Sequence, residues 1–209
     1  MSGIGTLDLK VAIIDGDYYA MQAINGYLAW DRRTRVTFMG TDLEALAFYL
    51  QTLVPAEYPD VLILDVDHFD SNAQTHEKLT ELRHKMPDAL LICMAQRISF
   101  DLLDVVAASG ARAFLLKQDV KMQIAWAIVY AMEQDFLITA SLVQAARGQH
   151  QDVVYRAAVL PEQREYPEMT DRIRQAIRLC VIEGMPAHLA ADEMGISLNT
   201  IRGYVKEGY

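Results

Sequence analysis

Cysteine is scarce. The 209 residues hold two, Cys93 and Cys180, far apart and each in an apolar setting. No C-x-x-C occurs, so a metal site built through sulfur has no basis in the sequence. Free apolar thiols fit a reducing cytoplasm. Long apolar runs are also missing: none approaches the ~18 residues that span a bilayer. The opening MSGIGTLDLK lacks the apolar core of a signal peptide. A soluble, cytoplasmic chain with no membrane partner is the expectation. Positive charge is in deficit, with 19 Lys and Arg against 28 Asp and Glu, a net charge of −9. Indiscriminate binding to nucleic acid needs clustered cations and is disfavoured, although one small domain could still read DNA. No internal repeat or low-complexity tract is visible. What the chain does have is apolar residues, 52% of the total, enough for the cores of two small domains or one large one.

The first 136 residues alternate two patterns. Short apolar runs rich in β-branched residues read as buried strands: KVAIID (10–15), VTFMG (36–40), VLILD (61–65), LLICMA (90–95) and AFLLK (113–117). Helical spacing separates them. Met21, Ile24 and Leu28 share a face. Thr41 is a candidate cap for a helix from Asp42 with Leu43, Leu46, Ala47 and Leu50 on one side. A polar helix covers roughly 72–85, DLLDVVAAS ends at Gly110, and a long helix runs over 119–136. Continuous apolar strands with intervening helices predict a parallel sheet covered on both faces. The expected fold class is α/β, a flavodoxin-like (βα)5 domain over 1–136 with strand order 2-1-3-4-5. From Leu137 the pattern weakens: LITASLVQAARGQH reads as a short helix after Thr139, and 150–169 has mixed charge, two prolines and no clear period, so 137–167 is expected to be a linker. The apolar supply over 101–136, including Met122, Ala125, Ala127, Ile128 and Tyr130, exceeds one buried stripe and predicts a homodimer through that region.

The segment 168–209 has a different character. Ile173, Ala176, Ile177, Cys180 and Val181 form a helical stripe. Gly184 ends that helix, and Pro186 suits the first turn of the next. AHLAADEM is a short helix, Gly195 makes a turn, and Ser197 is a candidate N-cap flanked by Ile196 and Ile201 as a hydrophobic staple. The spacing of Ala191, Gly195 and Ile201 fits a helix-turn-helix, giving a small all-α domain after the first. The second helix of such a motif enters the major groove. Its candidate contacts are Asn199, Thr200, Arg202, Gly203 and Lys206. Arg reads guanine and Asn reads adenine, and Gly lets the backbone approach. Yet 168–209 carries five Lys or Arg against six Asp or Glu, so a protein-docking module is the competing reading.

In a parallel sheet of this order, ligands sit at the carboxyl ends of strands 1 and 3. Asp15 and Asp65 fall there, with Asp17 and Asp67 close by and Lys117 at the end of strand 5. Clustered carboxylates need a cation or raised pKa values, and Mg²⁺ suits a site that also holds phosphate. Lys117 is placed to neutralise a phosphoryl group on Asp65. The competing reading is that these acids simply end solvated strands. IIDGDY and ILDVDH also have the D-x-D form of haloacid-dehalogenase-type phosphatases, nucleophile first and general acid second. Tyr19 and Phe69 stand where those enzymes have Thr or Val, and no downstream acidic pair follows a strand, so the chain is not expected to be an enzyme. His68 lacks a His or Cys partner and reads as a loop histidine.

KVAIIDGD, PDVLILDVD and GARAFLLK, in that order, resemble the receiver domain of two-component response regulators. LAADEMGISLNTIRGYV resembles the LuxR-type helix-turn-helix of the NarL/FixJ subgroup, as does the intervening AIVYAMEQDFLITASLVQAA. The resemblance implies a transcription regulator that binds double-stranded DNA, a homodimer, and a sensor kinase as partner. By position it implies Asp65 as phosphoacceptor, Lys117 as the phosphate-pocket lysine, Phe114 as the aromatic switch, and Asp15, Asp65 and Asp67 around the metal. Three positions depart from the pattern. Gly16 stands where the second metal-binding acid belongs, with Asp17 one place late. Ala95 replaces the Thr or Ser that bonds the phosphoryl group, and Phe69 replaces a Pro. These departures imply an atypical receiver that holds Mg²⁺ weakly and is controlled other than by ordinary Asp phosphorylation.

Overall fold

The structure, a computed structural model, describes residues 8–149, 151–161 and 170–208. The chain divides into two compact units, Met1–Glu162 and Gln163–Tyr209. The expected boundary between linker and second domain, at 167–168, lies outside the described residues.

The first unit is built on strands β1 (Leu9–Ile14), β2 (Thr34–Gly40), β3 (Val61–Asp65), β4 (Leu90–Ala95) and β5 (Ala113–Leu116). Helices α1 (Tyr18–Ala29), α2 (Leu43–Gln51), α3 (Asn72–Lys85) and α4 (Phe100–Ala108) lie between them. All pairings are parallel, in the order β2-β1-β3-β4-β5. The two-residue period of a strand sends alternate side chains to opposite faces. One face holds Ala12, Ile14, Leu62, Leu64, Leu91, Cys93, Phe114 and Leu116, packed with residues from α2, α3 and α4. The other holds Val11, Ile13, Val61, Ile63, Ile92, Met94, Ala113 and Leu115, packed with Met21, Ile24 and Leu28 of α1. Burial on both faces explains why these strands read as unbroken apolar runs. Cys93 and Cys180 are free thiols, Cys93 within this core.

The helix entries follow local chemistry. Asp42, rather than Thr41, caps α2, because its carboxylate accepts the Ala45 N–H at 2.8 Å while Thr41 donates to that same carboxylate. Ser71 and Ser99 cap α3 and α4. Gly110 takes φ +75° beyond α4, the left-handed conformation a helix stop favours.

Two expectations require correction. The long helix over 119–136 is broken. Lys117 lies outside β5 and opens a single turn, α5 (Lys117–Val120), a 3₁₀ turn covers Lys121–Gln123, and α6 runs Ile124–Met132. Neither Gly nor Pro marks the break, and Lys121 itself adopts φ +42°. A non-glycine side chain there costs about 1–3 kcal/mol. Lys121→Gly is expected to raise stability by about 1 kcal/mol after the added unfolded-state entropy is subtracted, measurable by urea denaturation.

The second correction concerns the described residues of 137–161, which are not a linker alone but extend the sheet. Strands β6 (Leu137–Ile138) and β7 (Ala158–Val159) add to β5 in parallel, making seven strands, with helices α7 (Ala140–Ala145) and α8 (Asp152–Arg156) between them. Leu142, Ala146 and Val154 join one core face, and Leu137 and Leu160 join the other. The wider sheet uses the apolar surplus of α6: Ala125, Ala127 and Ile128 are buried within their own unit. These three are therefore not surface that a second copy could cover, whereas Met122 is exposed and Tyr130 half-buried.

Among the described residues, the second unit has three helical segments: α9 (Asp171–Ile177), continued by a π turn over Arg178–Ile182, then α10 (Ala187–Met194) and α11 (Leu198–Gly208). Thr170 caps α9. Leu179, three residues after Ala176, enters the core with it, while Cys180 and Val181 are only half-buried. Among the described residues, no helix is long and apolar enough to cross a membrane.

Candidate functional site

Strand order reverses at β1, whose neighbours are β2 and β3. The crevice at the carboxyl ends of β1 and β3 is therefore the expected ligand position. Asp15 follows β1 and Asp65 ends β3, and both are buried, with 1% and 6% exposure. Lys117 enters from the first residue after β5. Its Nζ lies 2.7 Å from Asp15 Oδ2 and 3.3 Å from Asp65 Oδ2. The remaining oxygens face their own loops: Asp15 Oδ1 accepts the Asp17 N–H at 2.9 Å, and Asp65 Oδ1 accepts the Asp67 N–H at 3.2 Å. Two carboxylates thus share one ammonium.

The electrostatics follow from this geometry. Burial pushes the Asp15 carboxyl above its ordinary value. Lys117 and the Asp17 amide pull it down, but Asp65 pushes it further up, and the net direction is upward. For Lys117, burial opposes the ammonium, but Asp15 and Asp65 outweigh it and the lysine is held above its ordinary value.

The other acids do not join this cluster. Asp17 caps α1, accepting the N–H groups of Tyr19 and Ala20 with Oδ1 at 2.9 and 3.3 Å. The Asp67 carboxylate reaches across to accept the Gln96 N–H at the start of the loop after β4. Among the described residues, no group of three His, Cys, Asp or Glu is placed to hold a metal ion. A hard dication wants a shell of oxygens. Asp15 and Asp65, with an ammonium between them, fit a tightly held Mg²⁺ poorly. Gly16 has open space where a side chain would begin, so packing does not demand a glycine there. Ala95, fully buried at the end of β4, brings no hydroxyl. His68 stands at the mouth, its Nδ1 3.9 Å from Asp65 Oδ2 and its ring tilted against Phe69.

In the second unit, Gly195 takes φ +63° between α10 and α11. Ser197 caps α11, accepting the Thr200 N–H at 3.0 Å. Thr200 Oγ1 lies 2.8 Å from the Ser197 hydroxyl, so Thr200 belongs to the cap. Ile201 is fully buried against Ala176, Leu179, Ala190, Ala191 and Met194. This anchors one face of α11 and turns Asn199, Arg202, Gly203 and Lys206 outward; all four are exposed. Their i, i+3, i+4, i+7 spacing makes a single stripe. Among the described residues, nothing lies within 4 Å of where a Gly203 side chain would begin, so packing does not require glycine in mid-helix. Arg172 also serves this unit, donating to the Met194 carbonyl at 3.1 Å and tying α9 to the end of α10. No sequence pattern announces that bond.

No family model and no curated protein matches the chain. Solved structures do. The RcsB response regulator of Salmonella typhimurium, described for its conformational dynamism in DNA interaction, is 18% identical with a TM-score of 0.59, over 96% of this chain and 90% of that one. The chain has a response-regulator fold. RcsB of Salmonella enterica serovar Typhimurium bound to promoter rprA, in the presence of the phosphomimetic BeF3-, agrees: 17% identity, TM-score 0.55, and 96% and 90% coverage. The signal receiver domain of the response regulator NarL from Mycobacterium tuberculosis is 19% identical with a TM-score of 0.51, over 61% of this chain and 98% of that one. The first unit is thus a receiver fold, α/β as expected, and the second is a small helical domain.

Proposed function

We propose that this chain is a DNA-binding transcription regulator whose receiver is controlled other than by ordinary phosphorylation of Asp65. The observation that carries the DNA reading is the outward stripe Asn199, Arg202, Gly203 and Lys206 on a helix anchored by Ile201. The RcsB structures include complexes with DNA, one of them described as two RcsB dimers on two parallel DNAs. A homodimer fits the same reading, because one helix reads few base pairs and paired half-sites multiply affinity. An adaptor that docks protein rather than DNA is favoured by one observation, the excess of acids over bases in 168–209. A D-x-D phosphatase is disfavoured because the second acid of each pair, Asp17 and Asp67, is committed to backbone N–H groups.

The receiver reading rests on Ala95, Gly16 and the turned-away Asp17. A phosphoryl group on Asp65 would find Lys117 but no hydroxyl, a loss of about 1.5–3 kcal/mol for a charge-assisted bond. Intact-mass spectrometry with a small phosphodonor and Mg²⁺ tests this. Wild type is expected to label poorly, while Gly16→Asp combined with Ala95→Thr labels better. Rapid, near-complete labelling of wild type at Asp65 would show an ordinary receiver. Failure of the full chain to bind any DNA fragment would favour the adaptor.

A further inference from the structure

β3 and β4 run in register, Asp65 opposite Met94, and the pairing continues past the strand ends. The Val66 N–H donates to the Met94 carbonyl at 2.9 Å. Two residues beyond the Asp65–Met94 pair on each side, the Asp67 carboxylate accepts the Gln96 N–H. The loop after β4 is therefore tied to the loop after β3 by a side-chain anion. This loop is otherwise open: Gln96, Arg97 and Ile98 are exposed, and the next residue, Ser99, caps α4.

An anion attached to Asp65 would have to draw on the donors at this sheet edge. They include the Asp67 N–H, Lys117 and the Gln96 N–H, while the His68 ring stands at the mouth. The first is bonded to Asp65, the second is shared by Asp15 and Asp65, and the third is taken by the Asp67 side chain. Ala95 adds none. We infer that the Asp67 carboxylate is a resident anion, holding the β4–α4 loop in the way a group added at Asp65 would otherwise have to. This rests on the reading of the receiver as one not controlled by ordinary phosphorylation, and it supplies the physical means. The loop is latched before any phosphate arrives, and negative charge already stands on the donor that an incoming dianion would need. A donor and a charged acceptor bonded in this way release together, so the latch opens only when Asp67 lets go of Gln96.

Hydrogen exchange of the full-length chain tests it, read by mass spectrometry on peptides spanning 95–100 in wild type, Asp67→Ala and Asp67→Asn, each with and without beryllium fluoride and Mg²⁺. Asp67→Ala is expected to speed exchange at Gln96 by about ten-fold or more. Asp67→Asn should fall between, because its amide oxygen still accepts a hydrogen bond without the charge. Wild type should not respond to beryllium fluoride. Asp67 is exposed, and unchanged protection of 91–94 in all three proteins serves as the check that the fold is intact. If Asp67→Ala exchanges like wild type while wild type stays silent to beryllium fluoride, the latch is wrong and the receiver reading stands. If beryllium fluoride alters the wild-type loop, the receiver reading falls and takes the latch with it.

Discussion

Replacing Lys117 with Met lowers the unfolding free energy by about 3–5 kcal/mol near neutral pH, the cost of leaving a buried charge without its partner. Asp15 and Asp65 lie 2.7 and 3.3 Å from the Lys117 ammonium and are almost fully buried. Methionine restores bulk but no charge, so two buried carboxylates face each other without a counter-charge. The deficit depends on pH, and its sign follows from Asp15. That carboxyl is held above its ordinary 3.8, by burial first and by Asp65 in addition. A carboxyl raised in the folded state contributes stability that is complete below its unfolded value and lost as pH rises through the folded one. Without Lys117 the shift grows, so the variant's deficit is greatest at neutral pH and shrinks toward pH ~4. In wild type, Lys117 stands above its ordinary 10.5, so its own contribution is lost only as pH rises beyond that value. Urea melts across this range check the profile. The triple variant Asp15→Asn, Asp65→Asn, Lys117→Met should recover most of the loss, and a deficit below ~1 kcal/mol in the single variant would mean the acids are solvated strand ends after all.

On DNA, Arg202→Ala costs about 1–3 kcal/mol at the specific site if its guanidinium reads a base edge, and specificity relaxes at that position. Lys206→Ala behaves differently. It weakens all sequences alike and lowers the slope of log K against log salt by about 0.9, one phosphate contact. Gly203→Ala separates folding from binding. Alanine in mid-helix stabilises by roughly 0.5–1 kcal/mol, and nothing within the unit opposes it. Tighter folding with weaker DNA binding would place Gly203 against the duplex. Salt-dependent gel shifts and thermal melts measure both. Wild-type behaviour from both Arg202→Ala and Lys206→Ala would remove this stripe from the interface.

The sequence located Asp15, Asp65 and Lys117 well because apolar runs define strand ends, and strand ends in a parallel sheet share an edge. Asp17 and Asp67 were harder to place. Whether a carboxylate near a strand end faces the crevice or turns to a backbone N–H depends on loop conformation, which no periodicity reports. The same limit hid β6 and β7, since two-residue strands have too little pattern to recognise, although the leucines that bury them were in view. Leu179 stands at helical spacing from Ala176, but so do Cys180 and Val181 from Ile177, and spacing alone does not rank them. In the second unit, Gly195, Ser197 and Ile201 announced the turn, cap and anchor. Spacing alone does not separate Thr200 from its outward neighbours, and its hydroxyl joins the cap.

Fluorescence anisotropy on a footprinted DNA site tests the central claim most directly, comparing wild type, wild type with phosphodonor and Mg²⁺, and Asp65→Asn. The account predicts binding in all three, with dissociation constants within about two-fold of one another. Binding that tightens about ten-fold or more with the phosphodonor, and loses that gain in Asp65→Asn, would contradict it.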